Sequence, residues 1–358
     1  MDSLSKRHTP PGTAPGTLAG RNDGESGTLH FTLVEYDEEK CEAAFEVPID
    51  ECGWHLTTPE RTWIDGAGRP RADMLKVLGE KFNLHPLALE DVFHGNQRSK
   101  LDTFDDQAFL VMNDPRWVEG RLQPRQVSIF FGSNHVISFH DHDDDIFAPV
   151  RERLQQAGSR LRVRRIDYLV YALVDLVIDR KFLLLQHFSD AVETLEDESL
   201  EGPTPQTLRQ IHDLRRSLYT FHSVQWAERE TVHALMRTDL PLISAETRTY
   251  MRDCMDHSIA VLDLIESYRE MCNSLMELYM MGTSNRLNEV MKLLAIITTI
   301  FMPLSFIAAV YGMNFNPDTP GGLNMPELNF SFGYPLVLGV MATVVGAMVL
   351  WFRRRGWL

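Results

Sequence analysis

Two uncharged apolar stretches, residues 293–310 and 334–352, lie in the last fifth of this 358-residue chain and constrain its fold more than any other feature. At about 1.5 Å of rise per residue, about 20 helical residues cross the roughly 30 Å hydrocarbon layer of a bilayer. Both stretches therefore predict membrane-spanning helices. The first stops at Tyr311-Gly312-Met313-Asn314, which leaves polar backbone at the membrane edge. Such groups are tolerated there only where protein buries them or water reaches them, so the tetrapeptide is a candidate ion site.

Basic residues set the expected orientation. Arg286 and Lys292 precede the first span, and Arg353, Arg354 and Arg355 follow the second. The connecting stretch carries only Asp318 and Glu327 as charges. Because positive charge stays on the cytoplasmic side, both termini are expected there, leaving a mildly acidic outer face that attracts cations.

The residues ahead of the first span must form water-soluble structure, since the mean hydropathy of the whole chain is slightly negative, -0.19. Residues 1–27, rich in Pro, Gly, Ser and Thr, read as a disordered leader. A net charge of -15 argues against nucleic acid or anionic lipid as a main partner and suits a protein that handles cations. Cys41, Cys52, Cys254 and Cys272 form no C-x-x-C pair and read as reduced thiols.

Short β-type runs at 29–36, 42–47, 61–64, 108–112, 127–131 and 136–139, with helical patterns at 73–82 and 86–93, predict an α/β domain over residues 28–165. Helical patterns at 146–156, 166–200 and 204–237 follow. An acidic segment ending in Gly202-Pro203 marks a helix-to-helix turn, after which Thr204 caps the next helix and Pro205 takes its first position. A last helical pattern starts near Ser244 and Thr247 and meets no proline before Pro303. Read as continuous to Gly312, it is on the order of 100 Å long. The whole is an α+β membrane protein: a hairpin and stalk over 166–292, spans at 293–312 and 334–352 joined by a loop at 313–333, and a basic tail at 353–358.

Counting back from Gly312 in alternating steps of three and four gives Ala309, Ser305, Met302, Thr298, Ala295, Met291, Asn288, Ser284, Met281 and Glu277, all on one helix face. Within the span this stripe is small or weakly polar, while Leu293, Ile296, Ile297, Ile300, Phe301, Leu304, Phe306, Ile307 and Val310 lie off it. Small-residue stripes in membranes commonly mean close helix packing. A water-filled axis is the alternative, and the continuation into Asn288, Ser284, Glu277, Glu270 and Asp263 favours it. Two spans cannot enclose an axis, so the pore reading requires several copies around a symmetry axis. Glu277 would then form a ring that concentrates cations, Asn314 and the Gly312 carbonyl an outer ring, and Met291 and Met302, with Leu294 beside them, apolar constrictions.

Tyr311-Gly312-Met313-Asn314-Phe315, Met325-Pro326-Glu327-Leu328, Gly333-Tyr334-Pro335 and the basic C-terminus together resemble the CorA family of magnesium and cobalt transporters. Asn288-Glu289-Val290-Met291-Lys292, Phe301-Met302-Pro303-Leu304, the run from Tyr250 through Asp253, Asp256 and His257, and His85-Pro86-Leu87-Ala88-Leu89-Glu90-Asp91 extend the likeness. The resemblance implies a homopentamer in the cell inner membrane, with a cytoplasmic α/β domain on a funnel of long helices. It implies Mg²⁺ and Co²⁺ influx, with Ni²⁺ as a lesser substrate, through a filter at Gly312-Met313-Asn314. It also implies that intracellular Mg²⁺ gates the channel between subunits, at the matching positions Asp91 and Asp253. The segment 316–324 is longer than in compact members of the family, and Asn329-Phe-Ser-Phe332 lacks the basic residues that some members carry there. A zinc transporter of the same superfamily and a membrane-anchored scaffold are the alternatives.

Other runs are read as structural. His140-Asp141-His142-Asp143-Asp144-Asp145 is a strand-to-helix turn rather than a metal cluster, and Arg160, Arg162, Arg164 and Arg165 form an exposed helix start. No glycine-rich phosphate loop, nucleophile elbow or H-E-x-x-H motif is present, so no enzymatic activity is expected.

Overall fold

The computed structural model describes residues 12–18, 29–49, 61–118, 120–141, 144–237, 240–314, 325 and 330–357. The leader apart from 12–18, Cys52, Asp318, the segment 316–324 and Pro326-Glu327-Leu328 lie outside the described residues. The chain divides into two compact units. One comprises Met1–Glu198 with Thr204–Met276, and the other Ser199–Pro203 with Glu277–Leu358.

The first unit is built on strands β1 (His30–Tyr36), β2 (Cys41–Ala44), β3 (Arg61–Ala67), β4 (Lys100–Phe104), β5 (Gln107–Asn113), β8 (Gln126–Phe131) and β9 (His135–His140), in the sheet order β2-β1-β3-β9-β8-β5-β4. Among the described strands only β3 and β9 pair in parallel, with Ile64 opposite Ile137. A separate hairpin joins β6 (Arg116–Val118) to β7 (Arg121–Gln123). Successive residues point to opposite faces of a strand, and here both faces are covered. Trp63, Leu110, Ile129 and Val136 enter one core, with α3 (Ala148–Gln155) and α5 (Ile166–Glu201). Ile64, Phe109, Phe130 and Ile137 enter the other, with α1 (Ala72–Phe82) and α2 (Pro86–His94). Burial on both faces is why the central strands read as continuous apolar runs rather than alternating ones.

Helix α6 (Pro205–Leu235) starts with Pro205 in its first position, and Thr204 and Thr207 form a reciprocal capping box. Helix α7 runs unbroken from Ala245 to Tyr311, 67 residues. At its start the Ser244 hydroxyl accepts from the Thr247 amide at 3.2 Å, while the Ser244 amide donates to Asp167 at 2.7 Å. That bond ties the start of α7 to the start of α5.

The basic run departs from expectation. Arg160–Val163 form a short helix, α4. Arg162 is only 5% exposed, and its guanidinium donates to the carbonyls of Leu154, Gln155 and Glu39. Arg164 pairs with Glu246 and lies over the rings of Tyr168 and Tyr250. Backbone carbonyls and aromatic faces satisfy these charges, so the run is partly core rather than an exposed helix start.

In the second unit, the turn Ser199–Pro203 meets α7 at Gly282, where a Cβ atom would stand 2.6 Å from the Ser199 carbonyl oxygen. Glycine is required by that approach. The last helix, α8 (Gly333–Arg354), returns antiparallel to the end of α7: the Lys292 ammonium donates to the Gly356 carbonyl at 3.2 Å. Lys292 and the Arg353-Arg354-Arg355 tail therefore lie at the same end of this helical pair. Both helices are long and apolar enough to cross a membrane, and only 6% of each apolar window is buried within the chain.

Candidate functional site

Helix α7 ends where the tetrapeptide begins. Tyr311 is its last residue. The Gly312 amide still donates to the Ala308 and Ala309 carbonyls, at 2.9 and 3.2 Å, and the Met313 amide to Val310 at 3.2 Å. No described residue donates to the Gly312 carbonyl, and the Asn314 side chain has no hydrogen-bond partner among the described residues. Gly312, Met313 and Asn314 are exposed and Tyr311 is half-buried. A helix C-terminus carries partial negative charge on its last carbonyls, so free carbonyl and amide oxygens collect where a cation is favoured. Mg²⁺ keeps several of its waters, and such oxygens can accept from those waters without stripping them.

Along the face below, Glu277, Ser284, Asn288, Met291, Leu294, Thr298, Met302, Ser305 and Ala309 are exposed and Ala295 is half-buried. Thr298 turns its hydroxyl back to the Leu294 carbonyl at 2.7 Å. The part of α7 that its own chain covers lies elsewhere: Ile296 is buried, and Ile300, Leu304, Ile307 and Val310 are half-buried. The stripe is thus not the surface on which this chain packs its own membrane helices together.

The first unit holds the carboxylates of interest. Asp91, on α2, is half-buried and pairs with Lys100 at 2.7 Å. Burial pushes its carboxyl above the usual range, although Lys100 opposes the shift. Asp253, on α7, is exposed and makes no ion pair with a described residue. One turn further along α7 stands His257, whose Nδ1 is 3.3 Å from an Asp179 oxygen. Asp175, Asp179 and His257 each offer a ligand atom, and these atoms lie within 4.8 Å of one another. Burial and the neighbouring Asp179 raise the Asp175 carboxyl, with Asp253 adding repulsion and His257 opposing it. Two carboxylates and an imidazole suit a divalent cation that retains water in its remaining positions. Sequence reasoning missed Asp175 and Asp179. The signal available was a pair of i, i+4 spacings, Asp175 with Asp179 and Asp253 with His257, which place each pair on one helix face.

The run from His140 to Asp145 is taken up by arginines. Asp141 pairs with Arg69 at 3.1 Å, Asp144 with Arg116 and Arg180, and Asp145 with Arg151. His140 is buried, 3.6 Å from Asp65. His142 and Asp143 lie outside the described residues.

A family model described as CorA-like Mg²⁺ transporter protein matches residues 61–354. The chain is 38% identical over 357 residues to the cobalt/magnesium transport protein CorA of Thermotoga maritima, spanning 99% of this chain and 98% of that one. It is 25% identical over 297 residues to the protein of the same description from Methanocaldococcus jannaschii, covering 83% of this chain and 91% of that one. The complete structure of the CorA magnesium transporter from Methanocaldococcus jannaschii superposes with a TM-score of 0.73 at 23% identity, over 91% of this chain and 98% of that one. At that identity the superposition speaks for the fold: an α/β domain, long helices and two apolar C-terminal helices. The near-complete match to the Thermotoga sequence carries the relationship itself, and on it this chain belongs to the CorA-like Mg²⁺ transporter family.

Proposed function

We propose that the protein is a membrane channel for Mg²⁺ and Co²⁺, with Ni²⁺ a weaker substrate, built as a homopentamer in the inner membrane with both termini cytoplasmic. The observation that carries this reading is the exposed stripe on α7, small or weakly polar apart from Met302 between Gly312 and Ala295, and carrying Asn288, Ser284 and Glu277, with Met281 among them, below. A face that its own chain leaves uncovered, and that continues beyond the span into Asn288, Ser284 and Glu277, suits a shared aqueous axis. Relatives bearing magnesium and cobalt in their names support the choice of ion over zinc.

In this reading the Gly312 carbonyl and Asn314, with Tyr311 and Met313 beside them, hold the hydrated ion at the outer mouth. Glu277 concentrates cations at the inner end. Met291, Leu294 and Met302, apolar yet exposed, close the pore by dewetting. A doubly charged ion gains about 4.6 kcal/mol per 100 mV of inward potential, so no separate energy source is needed. Regulatory Mg²⁺ sits between subunits at Asp91 and Asp253, and Asp175, Asp179 and His257 extend the same acidic region.

Liposomes loaded with a Mg²⁺-sensitive dye test the reading. Influx into vesicles holding the native protein should fall at least about tenfold in Asn314→Ala, the cost of removing a water-ordering side chain from each subunit. Undiminished influx would falsify the assignment of the filter.

A further inference from the structure

Apart from the cation sites, the first unit contains a cavity of about 540 Å³ between the ends of β3, α2 and β9, the β7 hairpin strand and α6. Four arginines line it: Arg69, Arg121, Arg125 and Arg216. Among the described residues lining it, two carboxylates face them, Asp141 and Asp213, which leaves a surplus of positive charge there in a chain of net charge -15. Asp141 positions two of the four, pairing with Arg69 at 3.1 Å and accepting from Arg125 at 2.6 Å through its backbone carbonyl. The guanidinium groups of Arg121 and Arg216 have neither an ion pair nor a hydrogen bond with any described residue. Two unpartnered forks beside two anchored ones form a receptor for a multiply charged anion, since planar guanidinium matches phosphate oxygens bidentately.

Size and lining decide the rest of the ligand. The cavity falls within the range of about 300–1,000 Å³ typical of small-molecule sites, which is larger than a lone pyrophosphate needs. Val92, Leu122, Pro124 and Phe139 supply apolar wall beside the arginines. At the end of α2, Gly95 and Asn96 are both left-handed, with φ of 64° and 55°, and this pair carries the chain around the cavity's rim. The geometry points to a binding site for a nucleoside diphosphate, its phosphates on Arg121 and Arg216 and its base and sugar against the apolar wall. This site does not depend on the pore reading.

Calorimetric titration of the full-length protein in detergent with ADP, pyrophosphate and adenosine tests it. ADP should bind saturably and more tightly than either fragment. Arg121→Ala with Arg216→Ala should raise its Kd at least about tenfold, as expected from losing two charge-assisted contacts. Both residues are exposed and unpaired, so the thermal midpoint and elution volume should stay unchanged. Should the double variant aggregate, Arg121→Gln and Arg216→Gln singly make the same comparison. Absence of saturable ADP binding, or equal affinity in the variants, overturns the site. Pyrophosphate binding as tightly as ADP overturns the nucleoside assignment.

Discussion

Single residues in the first unit carry large stakes because several charges are buried. Lys181 and Glu228 are fully buried and paired, and Lys181 also donates to Gln225 at 3.0 Å. Gln225 in turn donates to Ser258 at 2.8 Å, while Glu228 accepts from the Asn113 amide at 3.3 Å. This network joins α5, α6, α7 and β5. Removing one partner of a buried pair leaves an uncompensated charge and costs about 3–5 kcal/mol, whereas replacing both with apolar groups is often nearly neutral. Lys181→Met should therefore lower the thermal midpoint strongly, and adding Glu228→Leu should restore most of it. Additive losses in that double-mutant cycle would show that the pair is not coupled. The sign of a pH effect follows from Asp91 and Asp175, both raised above the ordinary carboxylate range, mainly by burial. A carboxyl with a raised folded pKa favours folding below its unfolded pKa, and that contribution is lost as pH rises through the folded value. A bound cation offsets the cost of holding these half-buried carboxylates charged, and protons compete with it. Stabilisation by added Mg²⁺, read as a shift in thermal midpoint, should be larger near pH 7.5 than near pH 5. Equal shifts at both pH values would exclude these carboxylates as ligands.

At the scale of elements, the contact between α7 and the α5–α6 turn rests on one missing side chain. A Cβ on Gly282 would lie 2.6 Å from the Ser199 carbonyl and 3.0 Å from the Pro203 ring. The first is rigid backbone, so Gly282→Val must push the turn off the helix. Limited proteolysis should then cut near Gly202 sooner than in the native protein. An unaltered digestion rate would mean that the turn is held elsewhere. Gly282 could not be singled out from sequence, because its partner is some 80 residues away. Helices were far more legible. The 67-residue α7 announces itself by a long helical period that meets no proline before Pro303, and α6 by Thr204-Pro205. Strand β4, Lys100-Leu-Asp-Thr-Phe104, was hidden because an edge strand carries charge. The β6–β7 hairpin was hidden because strands of three residues hold no pattern. Arg162 misled because only the folded chain shows three carbonyls converging on it. Asp175 and Asp179 are two among 50 acidic residues, and proximity to His257, not spacing alone, distinguishes them.

At the scale of the whole molecule, the proposed homopentamer accounts for what one chain leaves uncovered. Both apolar windows are 6% buried, α7 has an exposed stripe of small or weakly polar residues, and Asp253 makes no ion pair with a described residue. Several copies around an axis would cover the apolar sides and leave the stripe wet. In the regulatory site proposed above, Asp253 of one copy would face Asp91 of the next. Like charges so placed repel unless a cation lies between them, so the ion and the assembled state favour each other reciprocally. At a Mg²⁺ concentration about 100 times its Kd, that linkage is worth about 2.7 kcal/mol per site. On the proposed gating, several such sites acting together would hold the channel shut when internal Mg²⁺ is high and release it when Mg²⁺ falls. Asp253→Lys replaces the ion with a fixed positive charge and removes a ligand. Its influx should no longer decline as internal Mg²⁺ rises into the millimolar range, and its elution should no longer change when EDTA strips the metal. Unchanged inhibition in this variant would place the sensor elsewhere in the molecule, with the Asp175, Asp179 and His257 cluster the next set of ligands to remove.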